Sequence, residues 1–417
     1  MEGRQPMAPP IDLTDLDAFA AGFPHAAFTT LRREAPVWFH EPTAHTPGGE
    51  GFWVLSRHAD VTAVAQDAAA FSSESGGGRD GGGTLIEDLP AGFASGVLLN
   101  MMDDPRHRGI RRLVTPGVSP RALARLEDDL RRRTAIIVDA AVARGRCDLV
   151  LDIAAELPLQ ATAHLLGVPQ DDRHQLFAWA NATLDYDGRD LGEHDARTQA
   201  ASAAMFQYAG RLIAEKRDAP GDDLLSAVVH GRVASADGRD EPTTDLEQQM
   251  FFNLLIAAGS ETTRNTIALG VLACIEQPAA WDLLRADAAL LPSAVEEMLR
   301  WASSTAYNRR TACRDVALHG RTIRAGDKVT LWWSSANRDE AVFDEPFRFD
   351  VRRTPNPHVA FGQGSHFCLG ATLARVEIRL VLEALLARTS RLALDGPVEF
   401  TRSNKHTGLR HMPVTFG

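Results

Sequence analysis

The sequence predicts a mainly helical α+β protein with small β-sheets. Three observations carry that expectation. Between Asp245 and Pro278 lie about thirty residues whose apolar side chains cover most faces of a helix, roughly 45 Å long at 1.5 Å per residue. After Cys368, the residues Leu369, Leu373, Val376, Leu380 and Ala384 recur at helical spacing. The strand candidates, by contrast, are short. At 417 residues the length alone allows two or three domains, yet nothing in the chain marks a linker between independent cores.

Composition narrows the function classes. Hydrophobic residues make up 44% and charged residues 24%, ordinary for a globular protein. The net charge of −11 argues against general nucleic-acid binding and against docking on an anionic membrane. The cysteines Cys147, Cys274, Cys313 and Cys368 are scattered, and no CxxC pair occurs, which weakens zinc and redox-disulfide readings. Met1 to Pro10 is polar and Pro-rich, unlike a signal peptide or anchor. No run of about 18 apolar residues occurs, so no membrane anchor is expected and a reducing cytoplasm fits best.

Taken in order, residues 11–34 read as a loop and a short helix. Gly51 to Leu55 reads as a strand and His58 to Gln66 as a helix. The glycine-rich stretch Gly76 to Gly83 is not followed by Lys-Ser or Lys-Thr, so it does not read as a phosphate-binding loop. It reads either as a floppy insertion or as a mobile lid. Asp103-Asp104-Pro105 opens a helix. From Asp104 to Arg146 there are eleven Arg and five acids. That basic stretch is either a solvated face or, through Arg108, Arg112 and Arg131 to Arg133, a docking surface for an acidic partner. His107 and Arg111, four apart, share a helix face.

Residues 148–235 look helical with polar loops, and Trp179, Tyr186, Phe206 and Tyr208 fall among them, each as readily an ordinary core aromatic as part of a pocket roof. Asp245 is the candidate N-cap of the long helix and Pro278 its stop. Ala294 to Arg300 is helical, with Glu297 and Arg300 three apart on one face. Such a pair is usually a surface salt bridge worth about 0–1 kcal/mol. Tyr307 to Ala312 and Val316 to Leu331 read as short strands, with turns at His319-Gly320 and Gly326-Asp327. Lys405 to Leu409 suggests a turn that could point into a pocket.

Two stretches carry chemistry. In Phe361-Gly362-Gln363-Gly364-Ser365-His366-Phe367-Cys368-Leu369-Gly370, a cysteine closes a glycine-rich loop just before a helix. Unpaired N–H groups and the positive end of the helix dipole favour a thiolate there. Gly362 and Gly364 permit a tight bend. In the long apolar helix, the centre reads Ala258-Gly259-Ser260-Glu261-Thr262-Thr263. Burying Glu261 costs several kcal/mol unless it is paired or wetted. Thr262 can bond back to the Ala258 carbonyl and bend the helix, while Gly259 removes bulk beside it.

Phe361-x-x-Gly-x-x-x-Cys-x-Gly followed by Leu373-Ala374-Arg375-Val376-Glu377 resembles the haem-thiolate loop of the cytochromes P-450. The resemblance implies a single domain over residues 1–417, with residues 1–10 flexible. It also implies a triangular helical prism holding haem b between the long central helix and the helix after the cysteine. Cys368 would be the axial iron ligand, whose thiolate favours O–O cleavage. No CxxCH occurs, so the haem would be held without thioether links. Ala258, Phe361 and Gly370 match cofactor-lining positions. His107, Arg111, Arg310 and His366 match positions that hold haem propionates, with Arg309 as the neighbouring alternative to Arg310.

Glu261 and Thr262 match the acid–alcohol pair of the family's oxygen groove, catalytic in proton delivery. Glu297, Arg300 and Arg353, or Arg352 in its place, match a buried structural triad. The Gly76–Gly83 stretch falls where the family places a substrate-covering loop, and Ala178 to Ile213 where it roofs the pocket. Ser303-Ser304-Thr305 departs from the Thr-Pro often found there, which leaves the substrate contacts of the following strand open. The activity implied is a monooxygenase that inserts one oxygen atom of O2 into a lipophilic small molecule. Its electrons would come from NAD(P)H through a separate ferredoxin and ferredoxin reductase, and the protein would be monomeric. Epoxidation, ring coupling, desaturation or dealkylation at the same haem is the nearest rival. A haem-binding sensor without turnover is the rival of another class.

Overall fold

The computed structural model describes residues 11–184, 190–193, 195–234 and 238–417. The expectations for Met1 to Pro10 and for Tyr186 lie outside these. The architecture is helical with small sheets, as expected. The long helix runs Asp245–Glu276 and is the axis of the molecule. Its cap is Thr244 rather than the expected Asp245. The Thr244 hydroxyl accepts the Glu247 N–H, and the Glu247 carboxylate accepts the Thr244 N–H. A hydroxyl one residue upstream closes that reciprocal box with Glu247, while Gln248, three residues after Asp245, turns to the Thr243 carbonyl and hydroxyl instead.

Two apolar cores meet along this central helix. Phe251, Phe252 and Ile256 pack with Ala163, Leu166, Leu212 and Val228 of the helices Glu156–Leu166, Ala196–Asp218 and Leu224–Val229. Ile267, Leu269, Val271 and Leu272 pack with Val295, Leu299, Leu380 and Leu385 of the helices Leu291–Ala302 and Ala371–Arg388. The polar centre, Ala258 to Thr266, falls between the two clusters. Apolar side chains drive both ends of the helix into cores, and the centre is left to border a cavity.

Tyr307–Ala312 and Lys328–Trp332 pair antiparallel inside a five-stranded sheet. Phe52–Leu55 pairs parallel with Lys328–Trp332 and antiparallel with Val37–His40. The predicted turns join the hairpin Val316–Leu318 and Arg321–Ile323 to this sheet. No single helix among the described residues is long and apolar enough to cross a membrane.

The glycine stretch is not a floppy insertion. Arg79 donates to both Glu50 carboxylate oxygens at 2.6 Å, and pairs with Asp88 at 2.5 Å. Asp88 also meets Arg309 and Lys328. A Cβ on Gly77, whose φ is +61°, would lie 2.0 Å from the Gly326 nitrogen. Ion pairs and backbone contact therefore fix a segment whose composition reads as loose.

Candidate functional site

A cavity of about 310 Å³ lies between the central helix and the cysteine loop. Ala258, Gly259, Thr262 and Thr266 line it from the helix. Phe361, His366, Cys368 and Gly370 line it from the loop, and His107, Arg111 and Arg310 also face it. Glu261 is not among the lining residues.

The loop is shaped by its glycines. Gly362 and Gly364 have φ of +71° and +75°, and a Cβ on Gly364 would lie 2.5 Å from the Ala65 carbonyl oxygen. The Cys368 N–H donates to the Phe361 carbonyl at 2.9 Å, which turns the chain back on itself. Gly370 is the N-cap of the helix Ala371–Arg388, so Cys368 stands two residues before the cap rather than in the helix. Burial raises the Cys368 thiol, while the Gly370 N–H and the guanidinium groups of Arg111 and Arg375 oppose that rise. Burial alone pushes Cys274 to about 12. Of the four cysteines, Cys368 is the one that lines the cavity.

Two arginines and two histidines converge on the same space. The rings of His107 and His366 stack with centroids 4.0 Å apart. Arg111 donates to the Phe367 carbonyl at 2.7 Å. Burial pulls Arg310 down to about 10. Burial, with Arg310, His107 and Arg111 nearby, pushes His366 down to about 2. Arg309 points elsewhere, bonding the Leu85 and Glu87 carbonyls and Asp88. The one carboxyl in the lining is Glu377, which burial pushes up to about 8 against a hydrogen bond from Thr263. The wall is thus short of negative charge, and an anionic ligand would satisfy it.

Opposite the cysteine, Thr262 donates to the Ala258 carbonyl at 3.0 Å, the back-bond expected from the sequence. Thr266 and Ser304 both donate to the Thr262 carbonyl at 2.9 Å. Gly259 lines the cavity, as expected of a groove there, and also makes room for a second helix. A Cβ there would lie 2.6 Å from Thr162 Oγ1, so the glycine admits a neighbouring helix. Glu261 is 6% exposed, with Arg264 at 3.6 Å and His406 at 3.9 Å.

Glu297 and Arg300 are fully buried and bonded twice at 2.7 Å. Arg353 donates to both Glu297 oxygens, while Arg352 lies outside against Asp350. Other expectations are corrected. Trp179, Phe206 and Tyr208 do not line the cavity, and Tyr208 packs on Trp179 and Phe252 instead. The Lys405–Leu409 turn does not line it either, because Lys405 is drawn to the Tyr307 and Thr84 carbonyls and Gly408 abuts Asn265. Arg108, Arg131, Arg132 and Arg133 are paired with acids, and Arg112 is exposed with no ion pair among the described residues.

Sequence reasoning missed Asn308, Ser304 and Glu377 in the lining. Asn308 accepts the indole N–H of Trp333 at 2.9 Å. For Ser304 the signal was the Ser303-Ser304-Thr305 departure. For Glu377 it was a lone acid among the apolar positions after Cys368.

A family model described as Cytochrome P450 matches residues 140–392. The chain belongs to the cytochrome P450 family. It is 50% identical to cytochrome P450 126 of Mycobacterium tuberculosis, over 97% of each chain. It is 39% identical to the methyl-branched lipid omega-hydroxylase of Mycobacterium tuberculosis, over 97% of this chain and 94% of that one. The solved structure of Mycobacterium marinum cytochrome P450 CYP268A2 in complex with pseudoionone superposes with a TM-score of 0.88 at 35% identity, covering 100% of both chains. This P450 is an oxidoreductase, a monooxygenase. Its family implies haem iron and O2, and its monooxygenase relatives set the non-catalytic sensor reading aside. The cavity fits that cofactor. A thiol, apolar walls, the guanidinium groups of Arg111 and Arg310 and the imidazoles of His107 and His366 are what an iron porphyrin with two carboxylates would meet.

Proposed function

We propose that this P450 hydroxylates an apolar small molecule of lipid, terpenoid or polyketide metabolism. The observation that carries the reading is the placement of Cys368, the back-bonded Thr262, two guanidinium groups and two imidazoles around one cavity. Substrate class is supported by the relative named as a methyl-branched lipid omega-hydroxylase and by the neighbour solved with pseudoionone. When bound, haem supplies the activation of O2, with one oxygen atom going to substrate and the other to water. The Cys368 thiolate holds the iron. His107, Arg111, Arg310 and His366 take the propionates, and Ala258, Phe361 and Gly370 border the ring. Glu261 and Thr262 deliver protons. Glu297, Arg300 and Arg353 hold the scaffold around the cysteine loop. The whole of 1–417 acts as one monomeric domain in the cytoplasm. Electrons come from NAD(P)H through a ferredoxin and its reductase.

Carbon monoxide added to the reduced protein should give the red-shifted Soret band of a thiolate ligand. Cys368→Ser should abolish both that band and oxidation of a verified substrate. Undiminished oxidation by Cys368→Ser refutes the assignment. A spectral-shift binding screen over steroids, terpenes, macrolides, fatty acids and cyclic peptides identifies the substrate class. The absence of any shift with terpenes and lipids overturns that part.

A further inference from the structure

The carboxylate that the proposed mechanism uses does not face the cavity. It faces a histidine from the far end of the chain. Oε2 of Glu261 and Nδ1 of His406 are both buried without a hydrogen-bond partner, and they lie 3.9 Å apart. Buried polar atoms are normally satisfied, and two orphans facing each other call for a reason. A single bridging water or a small side-chain rotation closes the gap.

The backbone around His406 is fixed. Ser403 Oγ accepts the N–H groups of Lys405 and His406, each at 3.1 Å. Ala306 N–H donates to the Lys405 carbonyl, and Thr407 N–H donates to the Ser304 carbonyl. Gly408 sits directly on the central helix, where a Cβ would lie 2.3 Å from the Asn265 carboxamide carbon. The loop therefore holds the His406 backbone beside Glu261. The His406 side chain is 15% exposed and that of Glu261 8%, so the ring is the more accessible of the two to water.

We propose that His406 is the positioning residue that feeds protons to Glu261, linking the outside of the molecule to the acid beside Thr262. This rests on the proton-delivery reading of Glu261 given above. The step balances without electrons. Imidazolium and carboxylate become imidazole and carboxylic acid, and the ring regains its proton from water. The charged groups facing His406 are Glu261, which favours the imidazolium, and Lys405 and Arg264, which oppose it. Burial is the largest influence on the ring and lowers it.

The test uses the holoenzyme, reduced and carbon monoxide-bound so that it is diamagnetic. The imidazole signal of His406 is assigned by its loss in His406→Gln and then titrated. In Glu261→Gln its midpoint should move down by about one pH unit, because a facing negative charge has gone. Oxygen consumption with pseudoionone, NADPH and a surrogate ferredoxin pair gives a second readout. His406→Gln should slow it about tenfold and raise its solvent deuterium isotope effect. The double variant should be no slower than Glu261→Gln alone.

An unmoved titration in Glu261→Gln overturns the proposal, as does a double variant in which the two losses multiply. If Glu261→Gln leaves oxygen consumption unchanged, the proton role of Glu261 itself fails and the relay falls with it. That failure is told apart by a histidine titration that still responds to the substitution.

Discussion

Two glutamate–arginine pairs, each three residues apart, sit on two helices that pack together, and they have opposite surroundings. Glu297 and Arg300 are 0% exposed and bonded at 2.7 Å. Arg353, Asn356 and the Asp350 N–H complete the glutamate, and the carbonyls of Asn337, Pro346 and Arg348 complete the arginine. Glu261 and Arg264 are nearly as buried but stand 3.6 Å apart, with a carboxylate oxygen left over. A buried charge network that is satisfied throughout holds a fold in one arrangement. One that is left open costs stability, and such sites are where chemistry is found.

The comparison can be broken in several ways. Arg300→Ala leaves Glu297 buried and unpaired, and should cost about 3–5 kcal/mol in urea unfolding. A smaller loss than that of Arg264→Ala would remove the distinction. Glu261→Gln should lower turnover on the order of 100-fold by steady-state kinetics, while its unfolding free energy stays within about 1 kcal/mol of wild type. A large destabilisation would put Glu261 with the scaffold.

Glu377 extends the contrast to pH. Its carboxyl is raised from 4.5 to about 8, because burial outweighs the Thr263 hydrogen bond. A raised acid contributes stability that is full below about 4.5 and is lost as pH climbs through about 8. Urea midpoints should therefore fall over that window, and Glu377→Gln should flatten the fall. Ser304→Ala is the mildest change. It removes one hydrogen bond to the Thr262 carbonyl and should cost about 1 kcal/mol, seen as a small drop in melting temperature.

What the sequence disclosed follows from how far each signal reaches along the chain. The central helix, the Glu297–Arg300 turn and the hairpins after Tyr307 are local patterns of apolar spacing and turn residues, and the structure has them. The cysteine loop was legible because Phe361, Gly364 and Cys368 carry its geometry within a few residues. Thr244 went unnoticed as a cap because Asp245 beside it is an equally good capping type. The sequence carried only faint signals for His406, Ser304 and Glu377, because their positions depend on contacts between segments far apart in the chain. The Lys405–Leu409 turn was placed on the wrong side of a wall for the same reason. The aromatics Trp179 and Tyr208 show that composition cannot tell a roof from a core.

The glycines between 76 and 83 look interchangeable on the page, yet their tolerance to replacement is uneven. At Gly82 any side chain would begin 1.8 Å from the Glu74 carbonyl oxygen, and at Gly77 it would collide with the backbone of Gly326. At Gly78 nothing stands within 4 Å. A stretch that composition marks as filler is therefore spelled position by position, and mutational drift through it has few permitted steps.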